Sequence, residues 1–229
     1  SFAVTNCGTG VLYANFTDTT TVAQLDPTKK LSAYYAWPKR FVFGNRSPMA
    51  DGTILFKNPM EQLLNEDQYT YFESTNRVVA VRLQGKINVG HRDRTWYFDG
   101  RSVGGCGAVE ADNTNFIGRV NVRNLATLLV NGPLEARSVT VATTSGLGGT
   151  NRVGGAEGVT VQTGGTIFGG EYGRGGSLTV DSALTMQANA LLRADIPADP
   201  AAGIGYVKLA NTDPAKKLTL TAPIGVRLD

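Results

Sequence analysis

The residues of this chain that could do acid–base chemistry cluster between positions 91 and 112. The single histidine, His91, stands two residues before Asp93, so the carboxylate could orient the imidazole as a general base. No nucleophile motif such as G-x-S-x-G accompanies the pair. Because a charged turn between two strands explains these residues equally well, we do not expect His91 to be catalytic.

Two pairs of carboxylates are candidates for the cleavage of a polysaccharide. Asp93 with Asp99 is the better pair, and Glu110 with Asp112 is the second. A glycosidase needs two carboxyl groups at a defined separation across a groove, and a lyase also needs calcium ligands and a basic residue. The basic residues nearby are Arg92, Arg94 and Arg101. Acidic residues at the turns of a β protein are usually only solvated, so we predict no catalytic residue and no enzyme activity.

The glycine-rich stretch at residues 169–176 resembles a calcium-binding β-roll only in part. It has the glycines of such an array, but Arg174 stands where a calcium ligand is required. A wide turn that uses positive φ angles explains the glycines better. The sequence therefore predicts no metal site and no bound cofactor.

Cys7 and Cys106 are the two cysteines of the chain, and their separation fits neither a C-x-x-C redox motif nor a zinc site. In an oxidising compartment they can pair, which would close a loop of about 100 residues and stabilise the fold by roughly 4–5 kcal/mol. The alternative is two separate thiols. We favour the disulfide on condition that the protein is secreted.

The composition indicates many tight corners around a continuous core. Glycine contributes 28 of the 229 residues, hydrophobic residues 41% and charged residues only 18%, a balance typical of β proteins outside the cell. The net charge is +3, but Lys and Arg are scattered, which argues against a nucleic-acid partner. The chain has no run of about 18 apolar residues, so we expect no transmembrane helix.

Short alternating β-runs recur through residues 127–196, separated by glycine pairs. The sequences SVTV, GVTV and SLTV begin at Ser138, Gly158 and Ser177, a spacing of about 20 residues, which is the length of one coil of a solenoid. The LTLT sequence at Leu218 repeats the pattern. Stacking such strands in register would put the apolar side chains inside and the threonines outside.

The chain divides by texture into two parts. We interpret residues 1–95 as an irregular, aromatic-rich β cap or as the first coils, and residues 96–229 as glycine-rich solenoid repeats. One helix start interrupts the first part, because Asn58, Pro59 and Glu61 occupy the N-cap, N1 and N3 positions of a helix. The sequence therefore predicts a short helix near residues 59–67.

Aromatic residues concentrate in the first part of the chain and at its boundary with the second. We expect most of them to fill the core or to cover an open end of the solenoid. The alternative is an exposed platform on which sugar rings stack. The residues are Tyr34, Tyr35, Trp37, Phe41, Phe43, Tyr69, Tyr71, Phe72, Trp96, Tyr97 and Phe98.

The order of the motifs from Trp96 onward resembles the autotransporter-associated β-strand repeat of bacterial passenger-type surface proteins. The motifs, in order, are WYFDG, GGCG, NTNFIG, TLLVNG, SVTVA and GGTIFGG. The likeness covers roughly residues 95–196. It implies a right-handed parallel β-helix that is secreted and displayed at the cell surface, with no shared catalytic residues. Because the residues after Leu218 do not resemble the outer-membrane segment of such proteins, we expect a fragment, a processed product or a member that reaches the surface by another route.

These observations predict an all-β, right-handed parallel β-helix located outside the cell or on a bacterial surface. A solenoid leaves unpaired strand edges and an open core at its ends, which must be covered or paired. We therefore predict a structural and adhesive rod that self-associates into a homo-oligomer, surface layer or fibre. The alternatives are a polysaccharide lyase or glycosidase and a non-catalytic rod that binds surface glycans.

Overall fold

The architecture of the chain is known from a computed structural model. It describes residues 2–6, 11–16, 40–45, 54–56, 60–62, 67–73, 79–89, 93–101, 104–172, 174–197, 201, 203–210, 213–214 and 217–228. Within these ranges the chain forms strands and no α-helix. The strands are β1 (Phe2–Asn6), β2 (Val11–Phe16), β3 (Arg40–Asn45), β4 (Ile54–Phe56), β5 (Met60–Gln62), β6 (Gln68–Glu73), β7 (Val79–Leu83), β8 (Ile87–Val89), β9 (Thr95–Asp99), β10 (Gly105–Val109), β11 (Arg119–Arg123), β12 (Ala126–Val130), β13 (Leu134–Glu135), β14 (Ser138–Val141), β15 (Gly146–Gly148), β16 (Arg152–Gly154), β17 (Val159–Val161), β18 (Thr166–Phe168), β19 (Gly176–Val180), β20 (Leu184–Met186), β21 (Leu191–Ala194), β22 (Gly205–Leu209), β23 (Leu218–Leu220) and β24 (Gly225–Leu228).

The strands stack in parallel sheets, as the sequence predicted. The first sheet has ten strands in the order β1-β2-β3-β6-β9-β11-β14-β17-β20-β23, and the second has eight in the order β24-β21-β18-β15-β12-β10-β7-β4. The third sheet is formed by β13-β16-β19-β22, with β5-β8 as a separate pair. Only the pairing of β1 with β2 is antiparallel among the described strands.

Successive strands visit the three sheets in turn, which makes each set of three one coil. For example, β14, β15 and β16 lie in the first, second and third sheets, and β17, β18 and β19 repeat the order. This is the arrangement of a parallel β-helix. Parallel crossover connections are right-handed in nearly all proteins, which supports the right-handed sense expected from the sequence.

The core is a stack of apolar columns inside the coils. In β14 and β17 the valines are buried and the threonines between them, Thr140 and Thr160, face outward. Val139 and Val159 are paired in register and are 0% and 1% exposed. One column of the first sheet contains Trp96, Val120, Val139, Val159 and Leu184. In β14 and β17 the alternation of apolar and polar residues therefore orients the strand, because only one face of the strand meets the core.

Glycine in β10 makes room for the large aromatic side chains at the start of the core. A Cβ atom at Gly107 would lie 2.2 Å from the ring of Phe72. That ring is fully buried and stacks on Phe98 at 5.7 Å between centroids. Close approach, rather than turn geometry, explains this glycine.

A buried asparagine continues the third sheet where no full strand is present between β8 and β13. Asn113 is 2% exposed and forms a parallel bridge with Leu134. Its side-chain Oδ1 accepts a hydrogen bond from the backbone of Ile87 at 2.7 Å, and its Nδ2 donates to Ala111. The Asn113 side chain thereby replaces a missing strand contact and leaves no polar group of that side chain unpaired.

The short helix predicted near residues 59–67 is wrong over Met60–Gln62, which forms β5. This strand pairs in parallel with β8, from Met60 beside Ile87 to Gln62 beside Val89. Local helix-start signals are weak compared with the pairing that each coil offers its neighbour, so tertiary context decides. The division expected at residue 95 falls inside a continuous sheet, because β9 pairs with β6 on one side and with β11 on the other.

The repeat at Ser177 belongs to a different sheet from the two repeats that precede it. The strands of SVTV and GVTV, β14 and β17, are neighbours in the first sheet, but SLTV lies in β19 of the third sheet. The true successor of β17 in the first sheet is β20. The strand β19 has the same alternation of apolar residues with Ser or Thr as β14 and β17, so the sequence pattern alone does not show that it lies in another sheet.

Candidate functional site

The outermost strands β22, β23 and β24 and the link before them carry the largest group of exposed apolar side chains in the described part of the chain. We call β22, β23 and β24 the terminal coil. Each of these strands is the last in its sheet. Its exposed apolar residues, with the two isoleucines that lead into it, are Ile196, Ile204, Tyr206, Leu209, Leu218, Leu220, Val226 and Leu228.

Exposure in the terminal coil results from the lack of a following coil among the described residues. Val226 continues the inward column of Ile167 and Leu192 in the second sheet. Ile167 is 0% exposed, whereas Val226 is 68% exposed. The side chain of Val226 therefore lies in line with the core column, but no described residue covers it as the neighbouring coils cover Ile167.

The strands of the terminal coil carry few charges that would discourage pairing. Lys208 in β22 and Arg227 in β24 are their only charged residues, and β23 has none. Natural edge strands are usually protected by charge, proline or a covering segment. Three neighbouring edges with two charges between them form a surface suited to another β-coil.

A row of tyrosines lies on the outer face of the first sheet, where the sequence left open a sugar platform. Tyr69 and Tyr97 are register partners, and their rings stack at 4.9 Å between centroids. The guanidinium of Arg123 lies 4.2 Å from the centre of the Tyr97 ring. Burial and the neighbouring Tyr97 raise the pKa of the Tyr69 hydroxyl. Tyr97 thus has both Tyr69 and Arg123 against it, an arrangement that does not favour sugar stacking.

The other aromatic residues of the first part have mixed positions. Trp96, Phe98 and Phe72 are in the core, as expected, and the indole N–H of Trp96 donates to Thr70 Oγ1 at 2.8 Å. Tyr71 is 9% exposed and lies under the guanidinium of Arg101 at 4.1 Å. The remaining predicted positions, whose side chains lie outside the described residues, are Tyr34, Tyr35, Trp37, Phe41 and Phe43.

Asp99, half of the first carboxylate pair, is a buried acceptor rather than a free acid. It is 3% exposed, and its Oδ2 accepts from Arg123 Nε at 2.8 Å and from Asn124 Nδ2 at 2.9 Å. Its Oδ1 accepts from the backbone of Arg101 at 2.8 Å. These hydrogen bonds hold the corner that follows β9, so Asp99 has a structural role there.

The other acidic and basic residues named as candidates form ion pairs or hydrogen bonds, are half-buried, or lie outside the described residues. Asp93 is exposed and pairs with Arg137. Asp112 caps its own turn by accepting from Thr114, and these hydrogen bonds hold the pKa of the Asp112 carboxyl below its usual value. Arg94 is half-buried. His91 and Arg92 lie outside the described residues.

Glu110 belongs to a polar cluster on the outer face of the second sheet that sequence reasoning missed. Arg82 Nη1 donates to Glu110 Oε1 at 2.7 Å and to Glu171 Oε1 at 2.9 Å. Asn131 Nδ2 donates to the same oxygen of Glu171 at 2.7 Å. Two carboxylates that share one arginine are mutually screened. The 89-residue separation of Arg82 and Glu171 hides this contact from any local motif.

A second buried ion pair lies further along the same face. Arg193 and Asp195 are each 4% exposed and form two hydrogen bonds of 2.6 and 2.8 Å. The guanidinium of Arg193 also lies 4.1 Å from the ring centres of Phe168 and Tyr172. Removing either charge would leave the other buried without its partner.

Cys106 has a free thiol in this structure. Cys7, its expected disulfide partner, lies outside the described residues, so the pairing stays a prediction. Cys106 is 1% exposed on the outer face of the second sheet, against Ala108, Leu129 and Phe168. Burial raises the pKa of the Cys106 thiol to about 12. A thiol in such surroundings is unreactive at neutral pH.

Among the described residues, no three His, Cys, Asp or Glu side chains converge to hold a metal ion. That part of the chain also contains no helix with the length and apolar character needed to span a membrane.

Comparisons with known proteins add no relative. No family model matches the chain, and no curated protein or solved structure matches it either.

Proposed function

We propose that the protein is a structural rod on a bacterial surface or elsewhere outside the cell, and that it associates with itself through the terminal coil. The observation that carries the proposal is the exposure of core positions in this coil, above all Val226 at 68%. Two strands earlier in the same column, Ile167 is fully covered. Covering such positions is the main source of free energy for association between β surfaces.

The partner best suited to this surface is a second copy of the same chain. The terminal coil presents β22, β23 and β24 as neighbouring edges of three sheets. A matching partner must therefore offer three strands in the same three-sided arrangement, and another coil of this fold does so. Contact between two terminal coils would be isologous and would give a closed dimer, whereas contact with a different coil would give a fibre.

The extracellular setting is supported by composition rather than by a site. Low charge, abundant glycine and a solenoid fold suit a rod that works by its shape. The carboxylates of the described residues that were candidates for catalysis are hydrogen-bonded or paired with arginine. We therefore propose a structural and adhesive role and no catalytic one.

Sedimentation velocity of the full chain over a hundredfold range of concentration tests self-association, with negative-stain electron microscopy of the same samples. We expect species larger than the monomer whose fraction rises with concentration. Val226→Lys should shift the population to monomer, because association would bury the lysine charge at the edge of β24 and a charge there opposes pairing. The matched control is Ile117→Lys, since Ile117 is 49% exposed but lies outside the terminal coil.

The two variants separate the proposal from its alternatives. Monomers of the wild type at every concentration would overturn it. Equal dissociation by Val226→Lys and Ile117→Lys would show that association does not use the terminal coil. Rods that extend laterally in micrographs, without end contacts, would also count against it.

A further inference from the structure

The outer face of the first sheet carries one column of threonines from β14 to its last strand, β23. Thr140 pairs in register with Thr160, Thr160 with Thr185, and Thr185 with Thr219. In β14, β17 and β20 the apolar neighbours of each threonine are buried, so the threonine side chain faces outward. We call the outer surface of β14, β17, β20 and β23 the threonine face.

The threonine face and the corner beside it carry no charge over three successive coils. Residues 138–145, 158–165 and 183–190 contain no Asp, Glu, Lys, Arg or His, although 18% of the chain is charged. Charge returns on both sides of this area. Arg119 of β11 is the register partner of the first residue of β14, and the exposed Lys217 directly precedes β23. The neutral area is therefore a bounded region of the first sheet.

The other two sheets carry ion pairs alongside the same coils. In the third sheet, Nη1 of Arg152 lies 3.0 Å from a carboxylate oxygen of Glu135 and 2.8 Å from one of Asp181. In the second sheet, Arg193 donates to Asp195 at 2.6 Å. The lack of charge is therefore a property of one side of the rod rather than of its whole surface.

The hydroxyl groups of the threonine face are open to a partner outside the chain. Thr140, Thr160 and Thr185 are half-buried, and Thr219 is exposed. None of the four hydroxyls forms a hydrogen bond with another residue in the part of the chain that the structure describes. Because neighbouring strands of a sheet lie about 4.8 Å apart, a hydroxyl and a methyl group repeat at that interval along the rod.

The size and composition of the threonine face do not suit a protein or a sugar. Four strands of about five residues cover about 320 Å², at about 4.8 Å per strand and 3.3 Å per residue. Each partner in a stable protein complex buries roughly 800 Å². The four strands also contain no Phe, Tyr or Trp on which a sugar ring could stack. A fitting occupant is therefore uncharged, regular and able to bind hydroxyl groups.

We propose that the threonine face binds the surface of ice crystals. Ice is an uncharged lattice of water molecules whose repeat is close to the distance between strands of a parallel sheet. Each threonine offers this lattice a hydroxyl group, and a methyl group that releases hydration water when it is covered. A charged side chain would have to lose its hydration to lie against ice, which accounts for the lack of charge on this side. The proposal concerns the side of the rod and does not depend on association through the terminal coil.

Slow partial freezing of a stirred solution of the full chain measures ice binding directly. The readout is the ratio of the protein concentration in the ice to that in the remaining liquid. We expect the wild type to be enriched in the ice. Thr160→Glu should lower the ratio about tenfold or more, because an unpaired charge would be buried against the lattice. Thr179→Glu is the matched control, since Thr179 is also half-buried and faces outward but lies in the third sheet beside Arg152.

Circular dichroism and thermal unfolding show whether the variants keep the β-helix. Thr185→Glu, in the next strand of the column, takes the place of Thr160→Glu if that variant does not fold. Exclusion of the wild type from ice would overturn the proposal, and so would equal ratios for Thr160→Glu and Thr179→Glu. Sedimentation of the same proteins tests the rival occupant. Loss of self-association in Thr160→Glu but not in Thr179→Glu would assign the threonine face to a second copy of the chain and overturn ice binding.

Discussion

The coils between β9 and β21 and the terminal coil follow the same sequence pattern but differ in what covers them. Ile167 and Val226 lie in one inward column of the second sheet, at 0% and 68% exposure. Arg193 and Arg227 are register partners in the adjacent outward column. Arg193 is 4% exposed, whereas Arg227 is exposed. Burial in this fold is therefore a property of neighbouring coils and links rather than of the residue pattern itself.

Substitution of the two register partners Arg193 and Arg227 should give the largest difference between these coils. Arg193→Ala should cost about 3–5 kcal/mol of unfolding free energy, because Asp195 would remain buried without its charge partner. Arg227→Ala should change stability by less than about 0.5 kcal/mol, as is usual for exposed positions. Urea unfolding followed by circular dichroism measures both. Equal losses would mean that the two arginines have equivalent surroundings.

The core column provides the next comparison. Ile167→Ala should destabilise the protein by about 2–4 kcal/mol through lost burial and the cavity that remains. Val226→Ala removes a side chain that is mostly in solvent, so we expect a change of less than about 0.5 kcal/mol for the monomer. Denaturant midpoints at a concentration below that of any association give the two values. A large effect at Val226 under those conditions would break the comparison.

Two glycines sharpen the comparison at the corners. Gly149 has a φ of 126°, and a Cβ there would lie 2.3 Å from the carbonyl oxygen of Val130. Gly203, in the link before the terminal coil, has a φ of 71° and no atom within 4 Å of its Cβ position. Gly149→Ala should therefore cost about 2–3 kcal/mol, and Gly203→Ala only about 1 kcal/mol, from backbone conformation alone. Thermal unfolding of both variants would show the order, and a larger loss at Gly203 would contradict it.

The sequence predicts the β-helix fold well because each strand is indicated by a short local pattern of alternating apolar and polar residues. The apolar–Thr–apolar triplets around Thr140 and Thr160 place their strands correctly in the first sheet. The same spacing misassigns the triplet at Thr179. The link between β18 and β19 is longer than that between β15 and β16, so a third-sheet strand falls where a spacing of about 20 residues predicts a first-sheet strand. Met60–Gln62 fails for a similar reason, since pairing with β8 overrides a local helix signal.

The candidate sites are less predictable because they depend on contacts between distant coils. Glu171 meets Arg82 across 89 residues, and nothing in either local sequence indicates the pair. The sequence indicates Asp99 as half of a candidate pair for polysaccharide cleavage, but in the structure its carboxylate accepts hydrogen bonds from Arg101, Arg123 and Asn124 and holds a corner. The exposed apolar residues of the terminal coil, by contrast, follow the physical expectation that a strand paired on one side only leaves its other edge open.

The stacking of strands in register also gives the molecule a built-in scale. Each additional coil lengthens the rod by one interstrand spacing, about 4.8 Å, whatever the number of residues in its links. The eight strands of the second sheet thus correspond to about 34 Å of rod. Extra residues in a link, such as those between β18 and β19, widen the molecule without lengthening it. The length of the stack and the size of its links can therefore change independently.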